Sequence, residues 1–229
     1  MNSSIQKFTT ALLVALFVLA TSALAGPPLI CHAFDIGNAK SLPWISHDWN
    51  LTGSEPYDTR NLAADTIAIL DNDSTTLVHM ETLRRATLFA RKDPAAAKQL
   101  LVKLAARADS SANSQSAALA SFDLGYLAET YKQWLGNDGP NPAQGLDGYA
   151  LVRKAIQLRG NDPQMEFAAA LITLKGPAAD HQDHAQKAIV GSKSDPLLAR
   201  NLSAHFWNTP SPTLAEMISA TSSVKVDRQ

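Results

Sequence analysis

From about Thr59 to about residue 208, apolar residues recur at helical spacing, and no stretch alternates with period two. Ala63, Ile67 and Leu70 make one short stripe, and Leu77, Met80, Leu83, Ala86 and Ala90 the next. Ala97, Leu100, Leu101, Leu104 and Ala108 follow, then Ala120, Leu124, Leu127, Tyr131 and Trp134 in steps of four and three. Later stripes are Tyr149, Val152 and Ile156; Phe167, Ala170 and Leu174; Ala185, Ala188 and Ile189; and Leu198, Leu202 and Phe206. Such a chain buries its apolar stripes helix against helix, so the pattern predicts an all-α fold of about eight helices joined by short turns. The punctuation agrees. Asp93-Pro94, Asp162-Pro163 and Asp195-Pro196 each set a capping carboxylate before a proline at a first helical position. Ser74 is placed to cap the helix that follows it, and Gly136, Gly160, Gly176 and Gly191 fall where helices should stop. Asn137 to Gly148 is the one long interhelical loop.

The stripes contain a repeat. Lys154-Ala155-Ile156 recurs as Lys187-Ala188-Ile189, and Asp162-Pro163 recurs as Asp195-Pro196, both 33 residues later. A period of 33–34 residues marks stacked helical hairpins, which bury their apolar faces only against neighbouring hairpins. With Leu124-Gly125 at the Leu-Gly position of a first helix, Ala155 and Ala188 at the packing alanine of second helices, and Gly160-Asn161-Asp162-Pro163 in the turn, the chain resembles the tetratricopeptide repeat family and its Sel1-like relatives. The resemblance covers roughly 115–208, with a weaker extension back to 74. It departs from the family where the aromatic after Leu124-Gly125 is displaced to Tyr131. Val152 and Ala185 replace the usual aromatic, and the loop at 137–148 lengthens the middle repeat by about eleven residues. It implies an α-solenoid of antiparallel hairpins that binds a protein or peptide on the concave face of its first helices. Tyr126, Lys132, Gln164 and Thr173 are the groove-facing candidates it suggests. Ala155 should lie between two helices, on one stripe with Leu151 and Leu158.

The two ends read differently from this middle. Lys7, the apolar run Ala11 to Ala20 and the small residues of Ala23-Leu24-Ala25 form a secretory signal pattern over 1–25. The run is too short to span a bilayer, so export with cleavage before Gly26 is expected, to the periplasm or the medium, without a membrane span in the remaining chain. Residues 26–58 hold Pro27, Pro28, Pro43 and Pro56, with Phe34, Trp44, Trp49 and Tyr57. They read as an extended arm whose aromatics pack on the helical body at 59–208. The tail at 209–229 has room for a short helix.

Charge and motifs limit the chemistry. Lys and Arg total 20 against 21 Asp and Glu, which leaves no electrostatic footprint for nucleic acid. No His-Glu-x-x-His, Gly-x-Ser-x-Gly or Gly-rich phosphate loop occurs, so no enzyme activity and no cofactor are expected. Acids such as Asp123 and Glu129 read as exposed helical charge. Cys31, the one cysteine, with His32 and His47 has ligand chemistry suited to zinc or copper, but in no known motif spacing. His181 and His184 share a helix face among first-turn acids that favour a helix N-terminus. Asn50-Leu51-Thr52 and Asn201-Leu202-Ser203 match glycosylation acceptors. Trp44, Trp49 and Trp134 are candidates for a recognition surface. The expectation that follows is an exported, non-enzymatic helical-repeat scaffold that binds a protein or peptide. The alternative is a small exported metal-binding or redox protein that uses the Cys31/His32/His47 arm.

Overall fold

The computed structural model describes residues 26–44, 57–73, 75–110, 114–135, 140–160 and 162–206. The signal pattern at 1–25, the tail at 209–229, Ser74, Gly136, and His47, Trp49 and Asn50 of the arm lie outside the described residues. The described part is all-α. Its helices are α1 (Leu62–Asn72), α2 (Thr76–Ala90), α3 (Pro94–Ser110), α4 (Ser114–Trp134), α5 (Gly148–Arg159), α6 (Pro163–Ile172), α7 (Ala178–Ser192) and α8 (Pro196–Phe206), with 3₁₀ turns at Thr59–Asn61 and Thr173–Lys175.

The proline-led helix starts form as local chemistry dictates. The Asp162 carboxylate accepts the N–H groups of Gln164 and Met165 at 2.9 and 3.2 Å. Asp195 accepts those of Leu197 and Leu198, both at 3.0 Å. Asp93 accepts that of Ala96 at 3.0 Å. Each satisfies donors that have no partner within the helix. Gly160 closes α5 at φ +67°, the left-handed conformation that glycine adopts without strain. Gly191 behaves differently: it lies inside α7, where a Cβ would collide with the Pro163 ring. Its small size serves the α6–α7 approach, not a helix stop.

Helices α4 with α5 and α6 with α7 make the most extensive pairs, and α2, α4 and α6 touch one another as an inner layer. The α4–α5 crossing is tight enough to need two glycines. A Cβ on Gly125 would sit 2.5 Å from the Gly148 carbonyl oxygen and 2.8 Å from the Leu151 Cβ. A Cβ on Gly148 would meet the Gly125 carbonyl in turn. Side chains pin the crossing on both sides: the Ser121 hydroxyl donates to the Leu151 carbonyl at 3.0 Å, and the Tyr149 N–H to Glu129 at 3.1 Å. Ala155 and Ala188 are both fully buried, one on each side of the 33-residue register. Leu158 departs from the expected stripe. It is 40% exposed, because the core side of α5 is covered by Val152 and Ala155 and the helix turns Leu158 outward at its last turn.

Candidate functional site

Helix α2 carries the site. Of its 15 residues 13 are buried, Glu81 and Arg84 among them, so it is covered on every side. One of those covers is segment 26–44, which is irregular: it turns at 27–31, where the Pro27 carbonyl accepts the Ile30 and Cys31 N–H groups, and again at 36–39. Leu29, Ile30, Phe34 and Leu42 of this segment are buried against the helices. Buried charge must be paired and hydrogen-bonded. Glu81 accepts two bonds from Arg84, at 2.8 and 3.1 Å, and one from Arg85 at 2.7 Å. Two guanidinium groups on one carboxylate leave an excess of positive charge, and main-chain carbonyls of the segment take it up. Arg84 donates to the Ile30 carbonyl at 3.0 Å and Arg85 to the Leu42 carbonyl at 2.5 Å. Glu81 in return accepts the Phe34 N–H at 3.0 Å.

Helices α4 and α8 add further grips. From α4, Gln133 accepts the Leu29 N–H at 3.0 Å. From α8, Asn201 pairs with the main chain of Asp35 in both directions. Its Oδ1 accepts the Asp35 N–H and its Nδ2 donates to the Asp35 carbonyl, both at 2.9 Å, so the amide imitates a neighbouring strand. Arg200 meets the Asp35 carboxylate at 2.6 Å and, by that bond, holds its pKa below the ordinary value. The Phe34 ring stacks flat on His205 at 4.7 Å and turns its edge to Phe167 of α6 at 6.0 Å. Burial, with the nearby His32, pushes the His205 pKa down to about 4, so the ring that Phe34 covers is neutral. Trp44 closes the segment against Phe89 and under the Arg84 guanidinium. Thus α2, α4, α6 and α8 together form a groove that holds an irregular segment largely by its main chain.

The residues expected from sequence fall around this groove unevenly. Tyr126 is fully buried and Thr173 is 5% exposed, so both face the core and neither is presented to a ligand. Tyr126 stacks on Phe122, and the Thr173 hydroxyl bonds back to the Ala169 carbonyl at 2.8 Å. Lys132 is exposed and paired with Glu129 at 2.8 Å; its neighbour Gln133 is the one that reaches the segment. Gln164 joins helix starts: it accepts the Leu77 N–H at 3.0 Å and donates to Asp195 at 2.7 Å. Cys31 is a free, half-buried thiol whose pKa is raised by burial, and the His32 ring lies edge-on to His205 at 5.5 Å. Among the described residues no group of three or more His, Cys, Asp or Glu side chains is placed to hold a metal.

The reading of Asp123 as exposed charge is corrected, and the two histidines and Asn201 are placed. Asp123 is fully buried, because it accepts from His79 and Arg107, both at 2.6 Å, and links α2, α3 and α4. His181 and His184 have separate partners. His181 faces the Ala170 carbonyl at 2.9 Å, while His184 lies between Glu166 at 2.5 Å and the Tyr149 hydroxyl at 2.8 Å. Asn201 is 1% exposed with its amide committed to Asp35, so it is not an acceptor for a glycan in this fold. Glu81, Arg84, Arg85 and Gln133 carried no motif, and Asn201 stood out only as a glycosylation acceptor. The available signal was charge inside an apolar helix: Glu81, Arg84 and Arg85 interrupt the run Leu77 to Ala90, and such charges must find partners. Among the described residues no helix is long and apolar enough to cross a membrane. Comparison with protein-family models, curated proteins and solved structures finds no match to this chain.

Proposed function

We propose that the chain is an exported, non-enzymatic helical-repeat scaffold, of tetratricopeptide or Sel1-like kind, that binds a segment of a partner protein on its inner helices. The observation that carries this reading is the direction of the polar contacts in the groove. Gln133, Glu81, Arg84, Arg85 and Asn201 all address main-chain N–H and C=O groups. Main-chain bonds supply affinity for any extended chain, and pockets for alternate side chains supply selectivity. The aliphatic and aromatic side chains Leu29, Ile30 and Phe34 are the ones buried against the helices here. The 33-residue register, with its buried Ala155 and Ala188, supports a repeat architecture. The signal pattern at 1–25 supports export.

The test is site-specific photo-crosslinking in the native host. A photoreactive residue replaces either Lys175 or Arg200, both exposed near the segment, or Val102 or Val190, exposed on α3 and α7. The expected result is a partner captured from the Lys175 and Arg200 positions and absent from the other two. Capture from Val102 or Val190 alone, or from no position, refutes binding at the inner helices.

A further inference from the structure

We propose that segment 26–44 is an exchangeable occupant of this groove, and that the partner segment it gives way to has the same form and pattern: a turn carrying two consecutive aliphatic residues followed, four positions later, by an aromatic. The inference rests on the scaffold reading above and adds the identity of the competing ligand and the means of control.

Three features of the groove support exchange. First, the carboxylate of its charge cluster is ordered without the segment, while Arg84 and Arg85 each lose one carbonyl partner that an incoming main chain restores. Glu81 keeps three bonds from Arg84 and Arg85, and loses only the one from Phe34, if the segment leaves. Asn201 likewise keeps a bond from its amide to the Leu197 carbonyl of its own helix at 2.9 Å. A site held in its binding geometry by internal bonds loses little order on release and regains affinity with any chain of matching form. Second, none of the grips on Leu29, Ile30, Phe34 and Leu42 reads a side chain by hydrogen bonding. They take the N–H or C=O group that every residue but proline provides in full. Third, the selective elements are apolar and spaced. Leu29 and Ile30 are fully buried, and Phe34 lies between His205 and Phe167, with Asp35 next to it tied to Arg200 at the rim. A partner segment needs Leu, Ile or Val at two successive positions and Phe or a similar ring four residues beyond them. An acid directly after the ring would reproduce the contact with Arg200.

Occupancy by the chain itself lowers apparent affinity for an outside ligand by the fraction of molecules whose groove is open. Weakening the segment therefore strengthens binding in trans. The probe is a fluorescent synthetic peptide of residues 26–44, titrated under reducing conditions against the purified full chain and followed by anisotropy. The expected result is weak binding to the parent chain and binding tighter by about tenfold or more to Phe34→Ala, whose groove is intact and whose own segment has lost its anchor. The same peptide carrying Phe34→Ala should bind neither. Asp35→Ala, at an exposed position, provides a second variant that leaves the core untouched, with tightening by about threefold from loss of the Arg200 contact. If Phe34→Ala lacks a cooperative thermal transition, Asp35→Ala decides the matter. Equal affinity of the parent and the folded variants for the peptide, or no binding to any of them, overturns exchange. A partner captured at Lys175 or Arg200 together with unchanged peptide affinity leaves the scaffold reading standing and removes only this one.

Discussion

Gly125→Ala tests the tightest contact in the fold. In a helix interior the substitution by itself stabilises by about 1 kcal/mol, because alanine loses less backbone freedom than glycine. Position 125 reverses the sign. The new methyl would lie 2.5 Å from the Gly148 carbonyl oxygen, 2.8 Å from the Leu151 Cβ and 3.0 Å from the Val152 nitrogen. Ordinary contact begins near 3.4 Å, so α5 must retreat by about 0.9 Å. None of these atoms is the far end of a flexible side chain, so local adjustment cannot absorb the displacement. A gap of about 0.5–1 Å forfeits a quarter to a half of each dispersion contact, worth about 0.1–0.2 kcal/mol per atom pair. Over roughly 30 pairs at the crossing this amounts to about 2 kcal/mol. The same shift stretches the Ser121–Leu151 and Glu129–Tyr149 hydrogen bonds, each worth about 1 kcal/mol. After the propensity gain the net loss is about 2–3 kcal/mol. For a chain of this size that lowers Tm by about 5–10 °C in thermal unfolding followed by far-UV circular dichroism. Gln157→Ala, exposed on α5, serves as the control and should change little. A Gly125→Ala variant that melts at or above the parent would show that propensity, and not the close crossing, governs this position.

Ala155→Leu should destabilise by about 1–3 kcal/mol, since the residue is fully buried within a packed α5, while Ala179→Leu, exposed in the first turn of α7, should stay within about 0.5 kcal/mol. Equal melting shifts for the two would break the 33-residue register. His79 is buried, which opposes charge, yet the carboxylate of Asp123 and the carbonyl of Asp73 accept from both ring nitrogens and raise its pKa above 6.5 against the weaker opposing charge of Arg107. Its contribution is full below pH 6.5 and is lost as pH rises through the raised value, so urea-measured stability should fall on going above neutral pH and fall less in His79→Gln. His205 acts in the opposite direction. Its pKa is lowered to about 4, the unfolded chain binds a proton that the native ring refuses, and stability should drop by up to about 3 kcal/mol as pH falls from 6.5 to 4. His205→Phe should flatten that acid limb; an unchanged acid limb in the variant would assign it to other groups.

The local rules of the chain were legible without coordinates because they act over a few residues. Helical period, Asp-Pro starts and the 33-residue recurrence depend only on spacing, and the helices begin at Pro94, Pro163 and Pro196 as those starts require. Leu124-Gly125 stood out only through the resemblance to helical-repeat families, and its close approach to Gly148 is a finding of the structure. The facing of individual residues was not legible. A helix rotates by about 100° per residue, so Lys132 and Gln133 cannot be told apart until the partners of α4 are fixed. Tyr126 turned inward because Phe122 and the helices around α4 enclose that face. The burial of Asp123, Glu81 and Arg84 arose from pairings between residues up to 54 positions apart, which no spacing encodes. The groove is the clearest case. The sequence alone reads 26–58 as an aromatic, proline-containing arm on an all-α body, and the structure adds the turns of that arm at 27–31 and 36–39. Only the tertiary structure brought Gln133 of α4, Glu81 of α2 and Asn201 of α8 to the N–H groups of Leu29, Phe34 and Asp35, because these three helices are far apart in the sequence.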